Sequence, residues 1–229
     1  MKLHHRFPWR NLKRAWVFSY LIIYLPWFFY LEAYTTQYHI IQAPLDDLIP
    51  FCAYFIVPYL LWFFYVAAVF IFFLFRCPKQ EFYRMAGYLF LGMSLSLLIC
   101  TIYPNGVHLR PDFDPNQNIF TQLTAMLYQA DTSTNVFPSI HVSVSAGVYL
   151  AIAESKVCCR YRWMRPLSFC LTFSIILSTM FLKQHSVIDV IGGLVLAEAL
   201  HLLFYHRWKH PAFSLSRASA SRRRGTYRT

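Results

Sequence analysis

FLKQHSVIDV, residues 181–190, interrupts a long apolar run with Lys183, His185 and Asp189. Ionisable groups inside an apolar stretch carry an energetic cost, so they are paired or used. His185 and Asp189 are four apart. On a helix that spacing puts both on one face, where the carboxylate holds one imidazole nitrogen and raises the basicity of the other. The pair is half of a catalytic dyad, and it is equally the pattern of a satisfied polar contact between helices. A second polar island is needed to choose.

The rest of the chain sets the surroundings. Its 229 residues are 57% hydrophobic, 19% aromatic and 14% charged, which excludes an ordinary soluble domain. The length holds about six spanning helices of roughly 20 residues and leaves no room for a further soluble domain. The expected fold is all-α: a polytopic six-transmembrane helical bundle at 1–206, embedded in the bilayer, then a basic, disordered cytoplasmic tail at 207–229. A net charge of +11 in a soluble chain would point to nucleic acid. Here position matters more than the total, and no nucleic-acid partner is expected. The six cysteines, Cys52, Cys77, Cys100, Cys158, Cys159 and Cys170, contain no CxxC pair and no zinc-ligand spacing, so neither a disulfide framework nor a metal site is expected.

Apolar runs at about 17–35, 53–75, 85–103, 139–155, 167–182 and 186–205 mark the spans. The first is too long and too aromatic for a cleaved signal peptide, and no small-residue cleavage site ends it. Between spans one and two, QYHIIQAPLDDLIP (37–50) has Asp46 and Asp47 but no Lys or Arg, and reads as a solvated turn or shallow re-entrant piece rather than a metal site. Pro58 predicts a kink in the second span. The long 104–137 connection carries Arg110-Pro111, then QNIFTQLTAMLYQA (117–130). There Ile119, Leu123, Met126 and Ala130 recur at helical spacing, which predicts a helix lying in the bilayer interface. DFDPNQN (112–118) resembles the start of a calcium loop but has Gln117 for the turn glycine and Leu123 for the closing glutamate.

All but two of the 21 basic residues lie at the termini or in the connections after spans two and four. By the positive-inside rule both termini are cytoplasmic. The exceptions, Arg110 and Lys183, fall on the outer side, in the two connections that already carry unusual polar groups.

At the outer entrance to the fourth span stands NVFPSIHVSVS, residues 135–145. Pro138 suits the first turn of a helix, whose unpaired N–H groups form an anion site, Ser139 adds a hydroxyl, and His141 stands just inside. Two histidines, a carboxylate and cations near a helix N-terminus supply what phosphoryl transfer requires: a nucleophile, an acid for the leaving oxygen and charge stabilisation.

With both islands in view, the chain resembles the type 2 phosphatidic acid phosphatase (PAP2) superfamily over roughly residues 100–205. That family's pattern is K-x6-R-P, then P-S-G-H, then S-R-x5-H-x3-D; the matching residues are Arg110-Pro111, Pro138-Ser139-Ile140-His141, and His185 with Asp189. The resemblance implies His185 as a nucleophile forming a phosphohistidine, Asp189 as its orienting partner, His141 as general acid, and Arg110 and Ser139 as phosphate ligands, with no metal and no cofactor. Tyr103 and Thr179 stand where the family has cations, and Ile140 replaces a glycine. Lys183 is the expected substitute cation, with His108 a weaker candidate. The F-P-S-aliphatic-H variant is similar to the branch that includes inositol phosphoceramide synthases and bacterial PAP2 proteins.

Helix faces add a packing expectation. His185, Asp189, Gly193 and Ala197 follow at four-residue intervals on the sixth span, and Ser143, Gly147 and Ala151 on the fourth. Small faces let membrane helices approach closely, so spans four and six are expected to pack together below the site.

The expected function is a metal-independent lipid phosphatase acting on a lipid phosphate or diphosphate of the phosphatidic acid or polyprenyl diphosphate class. The alternative is a phospho-headgroup transferase of the inositol phosphoceramide synthase type. A third reading, a lipid transporter or inactive lipid-binding protein, lacks the repeated halves and broken midplane helices of transporters. The compact layout and the absence of any N-x-S/T site point to a bacterial plasma membrane, with the active site on the outer face.

Overall fold

The computed structural model describes residues 9–206. The tail at 207–229 lies outside the described residues. A helical turn, α1 (Trp9–Leu12), and a 3-10 stretch (Lys13–Tyr20) lead into α2 (Leu21–Tyr34). Then come β1 (His39–Ile40), α3 (Pro44–Leu48), α4 (Ile56–Arg76), α5 (Lys79–Ile102) and β2 (Asn105–Gly106). The chain continues through α6 (Ile119–Ala130), α7 (Ile140–Glu154), α8 (Met164–Phe181) and α9 (Val187–His201). The strands are a two-residue parallel pairing, His39 to Asn105 and Ile40 to Gly106, that ties the connection after α2 to the end of α5.

Among the described residues, five helical segments are long and apolar enough to cross a membrane: Lys13–Tyr34, Ala53–Arg76, Lys79–Ile102, Met164–Phe181 and Val187–Tyr205. The chain is therefore an all-α membrane protein. The fourth expected span differs. α7 is apolar but has 15 residues, and at 1.5 Å per residue it is roughly 22 Å long against a hydrocarbon core of about 30 Å. Its side chains explain its place: Val142, Val144, Val148, Ala151 and Ile152 are buried, because α7 packs against α5, α8 and α9 at the centre of the bundle.

Gly193 of α9 fulfils the packing expectation. A Cβ there would stand 2.8 Å from the Ser139 carbonyl oxygen and 2.9 Å from the Val142 Cβ, so the start of α7 and the first turns of α9 touch almost backbone to backbone. Gly147 does not face α9. A Cβ there would fall 2.1 Å from the Tyr88 ring of α5, and the Tyr88 hydroxyl donates to the Ala197 carbonyl at 2.7 Å. Periodicity identified a small face correctly, but an aromatic wedge from a third helix fills part of it.

One local expectation also changes. Pro58 lies in the first turn of α4, where its missing N–H has no intrahelical partner to lose, so it does not act as a mid-helix kink. α6 forms where predicted, capped by Asn118, whose side-chain oxygen accepts from Phe120 N at 2.9 Å and Thr121 N at 3.0 Å. Leu123 and Leu127 pack on Ile56, Tyr59 and Leu182, while Ile119 and Met126 of the predicted stripe stay exposed.

Candidate active site

The chain turns sharply between α8 and α9, and this turn presents His185. Leu182 N bonds to Ser178 O at 3.0 Å, while Gln184 N and His185 N both bond to Thr179 O, at 3.0 and 3.1 Å. Lys183 adopts a left-handed backbone (φ 54°), a conformation that ends helices and favours glycine. Ser186 caps α9: its Oγ accepts from Ile188 N at 3.1 Å, and the Asp189 carboxylate reaches back to Ser186 N at 2.8 Å. This is a reciprocal capping box, so helix begins only after Ser186. His185 and Asp189 therefore meet by the geometry of a helix start, not along one helical face.

His185 Nδ1 lies 3.5 Å from Asp189 Oδ2, beyond the usual 2.7–3.2 Å of an N–H···O bond. Asp189 is fully buried, and both its Oδ1 and His185 Nδ1 are buried without a hydrogen-bond partner. Catalytic hydrogen bonds in substrate-free sites are often long and tighten on binding. With Nδ1 turned to the carboxylate, Nε2 is the nitrogen available for attack.

Across from it, His141 sits in the first turn of α7. Ser139 caps that helix, its Oγ accepting from Val142 N at 3.4 Å, and its own N–H donates to the Asp189 carbonyl at 3.2 Å. The His141 ring packs against Tyr59 at 4.7 Å and Trp62 at 4.6 Å and lies 5.8 Å from the His185 ring, centroid to centroid.

The two expected cations are placed differently. The Arg110 guanidinium lies 4.2 Å over the Tyr128 ring, and it donates to Tyr128 O at 3.0 Å, to Asp131 O and to Gln184 Oε1. Burial pushes its pKa down, and the neighbouring Asp131 carboxylate opposes that. Through Gln184, Arg110 bonds the residue immediately before His185. Lys183, 9% exposed, donates its ammonium to the Asp46 carbonyl at 2.6 Å, behind the turn. Tyr103, at a family cation position, is half-exposed and stacks on His39; Thr179, at the other, is buried. His108 is bonded to the Tyr38 hydroxyl.

His141 and His185 open into a cavity of about 430 Å³. Its polar end is formed by the histidines with Gln184, Asp131, Asn135 and Glu32. Its other walls are apolar: Leu21, Leu25 and Phe28 of α2, Phe63 of α4 and Met93 of α5. Sequence reasoning missed several of these groups. Asp131 accepts from the Tyr59 hydroxyl and from Gln184 Nε2, and Glu32 accepts from Thr132 N, Thr132 Oγ1 and Asn135 Nδ2. A carboxylate inside the predicted first span was the available signal for Glu32. Asp46, expected to be solvated, is 2% exposed and bonded to the His185 turn. Among the described residues, no group of three or more His, Cys, Asp or Glu side chains is arranged to hold a metal ion.

Paired histidines, one beside a carboxylate, stand at the polar end of an apolar-walled cavity in a helical membrane protein. The family model of the PAP2 superfamily matches residues 85–211, more than half of the chain, and the protein belongs to that superfamily. No curated protein and no solved structure matches the chain. The superfamily generally contains phosphoric ester hydrolases.

Proposed function

We propose that the protein is a metal-independent lipid phosphatase that works through a phosphohistidine on His185. The observation that carries this reading is the 5.8 Å His141–His185 pair at the mouth of the apolar cavity. A lipid tail lies among α2, α4 and α5 with its phosphate against the two rings at the polar end of the cavity. His185 Nε2 attacks phosphorus as the bond to the lipid oxygen breaks, and His141 gives that oxygen its proton. Water, deprotonated by His141, then attacks phosphorus and breaks the P–N bond. Asp189 holds the imidazolium that forms. The N-terminus of α7 with Ser139 stabilises the transferred group, Arg110 acts through Gln184, and Lys183 contributes its charge from behind the turn. In the same reading the chain crosses the membrane six times with both termini cytoplasmic and α6 at the interface. The site faces the outer side of a bacterial plasma membrane.

One observation favours the second reading, headgroup transfer. Arg110 and Lys183 are engaged with protein acceptors, and the polar end carries Glu32 and Asp131. A singly charged phosphodiester is easier to seat there than a doubly charged monoester, and a diester donor with an alcohol acceptor uses the same two histidines.

The deciding experiment measures phosphate release from a panel of lipid phosphates and diphosphates in detergent with a chelator present, for wild type, His185→Ala and His141→Ala. Chelator-resistant release abolished by both substitutions supports the phosphatase. If wild type does no better than the variants on any lipid, simple phosphatase chemistry fails, and transfer from phosphodiester lipids to an alcohol is measured next.

A further inference from the structure

The connection between α2 and α4 packs behind the His185 turn, and one residue in it grips that turn at three points. Asp46 Oδ2 accepts from Ser186 Oγ at 2.6 Å, Asp46 Oδ1 accepts from Val187 N at 2.8 Å, and the Asp46 carbonyl accepts from Lys183 Nζ at 2.6 Å. The carboxylate is itself held by Ala43 N at 2.7 Å, the start of α3. Further along the same connection Cys52 N donates to Phe181 O at 3.0 Å, and the Phe55 ring stacks on Phe181 at 4.4 Å.

We propose that Asp46 is a positioning residue for the His185 nucleophile. The proposal rests on the phosphohistidine reading above. Its grips flank His185 on both sides in sequence, at Lys183 and at Ser186–Val187. The His185 backbone is fixed from the α8 side by Thr179 O. Without Asp46 the α9 side would lose its bonds at Ser186 Oγ and Val187 N, while Asp189 Oδ2 already serves both the Ser186 cap and the imidazole. Asp46 takes over the N–H of Val187, so the first turn of α9 does not draw further on Asp189. A buried carboxylate carries a large desolvation cost unless its oxygens are satisfied, and these are satisfied by the turn bearing the nucleophile. The ammonium grip also offsets the strained left-handed backbone of Lys183.

The consequence is specific. Releasing Asp46 misplaces the imidazole while leaving the apolar walls of the cavity in place, so the chemical step slows and substrate binding is spared. A misplacement of about 1 Å costs roughly 100-fold in rate.

The test uses the full chain in detergent, with dioleoyl phosphatidic acid as probe and a chelator present. Asp46→Asn, Asp46→Glu, Ser186→Ala and the Asp46→Asn/Ser186→Ala double variant are compared with wild type. Asp47→Asn, an exposed neighbour, is the control. Thermal melts report folding, and the rate at which diethyl pyrocarbonate carbethoxylates His185, read by mass spectrometry, reports its environment without any substrate. Expected for Asp46→Asn are a kcat lowered roughly 100-fold with KM within about threefold, altered His185 labelling, and partial recovery in Asp46→Glu. The double variant should lose less than the two single losses combined, since the two substitutions share the Asp46–Ser186 bond. Ser186→Ala carries the same test if Asp46→Asn does not fold.

Unchanged His185 labelling in folded Asp46 variants, or a loss confined to KM, overturns the proposal. Altered labelling in a protein whose wild type releases phosphate from no lipid tested supports the positioning of His185 and sinks the lipid-phosphatase reading instead.

Discussion

The ring of His141 stands 5.8 Å from that of His185 at an interplanar angle of 62°, although one belongs to the first turn of α7 and the other to the turn before α9. The close approach at Gly193 makes this possible. The Ser139 carbonyl and the Val142 side chain occupy the space where any larger residue at 193 would project.

Gly193→Val is therefore expected to push α7 away from α9. A branched side chain placed 2.8 Å from a backbone oxygen cannot be relieved by a rotamer change. Overpacking of this kind costs about 1–3 kcal/mol, and the separation of the histidines grows with it. The expected outcome is a lowered melting temperature together with loss of phosphate release. Gly87→Ala meets only the Phe204 ring at 3.1 Å, a side chain that can shift, and should be much milder.

The roles proposed for the two histidines separate by leaving group. His185→Ala should remove activity on every substrate, because no phosphoenzyme forms. His141→Ala should cost about 100- to 10,000-fold on an alkyl phosphate, where the departing oxygen needs a proton, and far less on p-nitrophenyl phosphate, whose leaving group departs as an anion. Equal losses on both substrates would argue against His141 as the acid.

Tyr128 gives the site an alkaline limit. Its hydroxyl donates to the Leu182 carbonyl at 2.6 Å, at the base of the His185 turn. Burial pushes its pKa up to about 12, with nearby Arg110 opposing. A pKa raised on folding means the native state holds the proton more tightly. The stabilisation is therefore complete below the unfolded value of 10.0 and is lost as pH rises through about 12. Melting temperature should fall across that window in wild type, and Tyr128→Phe should be less stable at neutral pH, by about 1 kcal/mol, but lack that part of the alkaline fall.

Much of this arrangement is legible from residue order, and the remainder has a common physical reason for being hidden. The apolar runs, the interruptions at His141 and His185, and the small face at Gly193 are local patterns, and each has its structural counterpart. Asp46 is different. Nothing near it in sequence shows that its partners are Lys183, Ser186 and Val187, because burial there is created by the fold. Gly147 shows the limit of periodicity, which identifies a small face but not the Tyr88 ring that fills it. The offset of His185 from helix α9 was readable. Ser186-x-x-Asp189 is a capping pattern, and it begins the helix one residue too late for His185 to belong to it. Asp131 lies in a polar loop whose Tyr59, Gln184 and Arg110 neighbours come from three other parts of the chain.

That loop supplies the test of substrate charge. Glu32 and Asp131 both line the polar end of the cavity, where each disfavours a second negative charge on a bound phosphate. Asp131→Asn keeps an acceptor for the Tyr59 hydroxyl and removes one charge; Glu32→Gln keeps an acceptor for Thr132. If charge selects the substrate, each substitution should raise kcat/KM for a phosphomonoester relative to a phosphodiester lipid. At a partly screened distance of several ångströms, one charge changes that ratio by on the order of tenfold or more. The ratio should respond to salt weakly, since the carboxylates lie inside the cavity and not at an open surface. A ratio that stays constant while both rates fall would assign Glu32 and Asp131 to holding the 131–135 loop alone. Selection between monoester and diester would then have to come from the shape of the cavity.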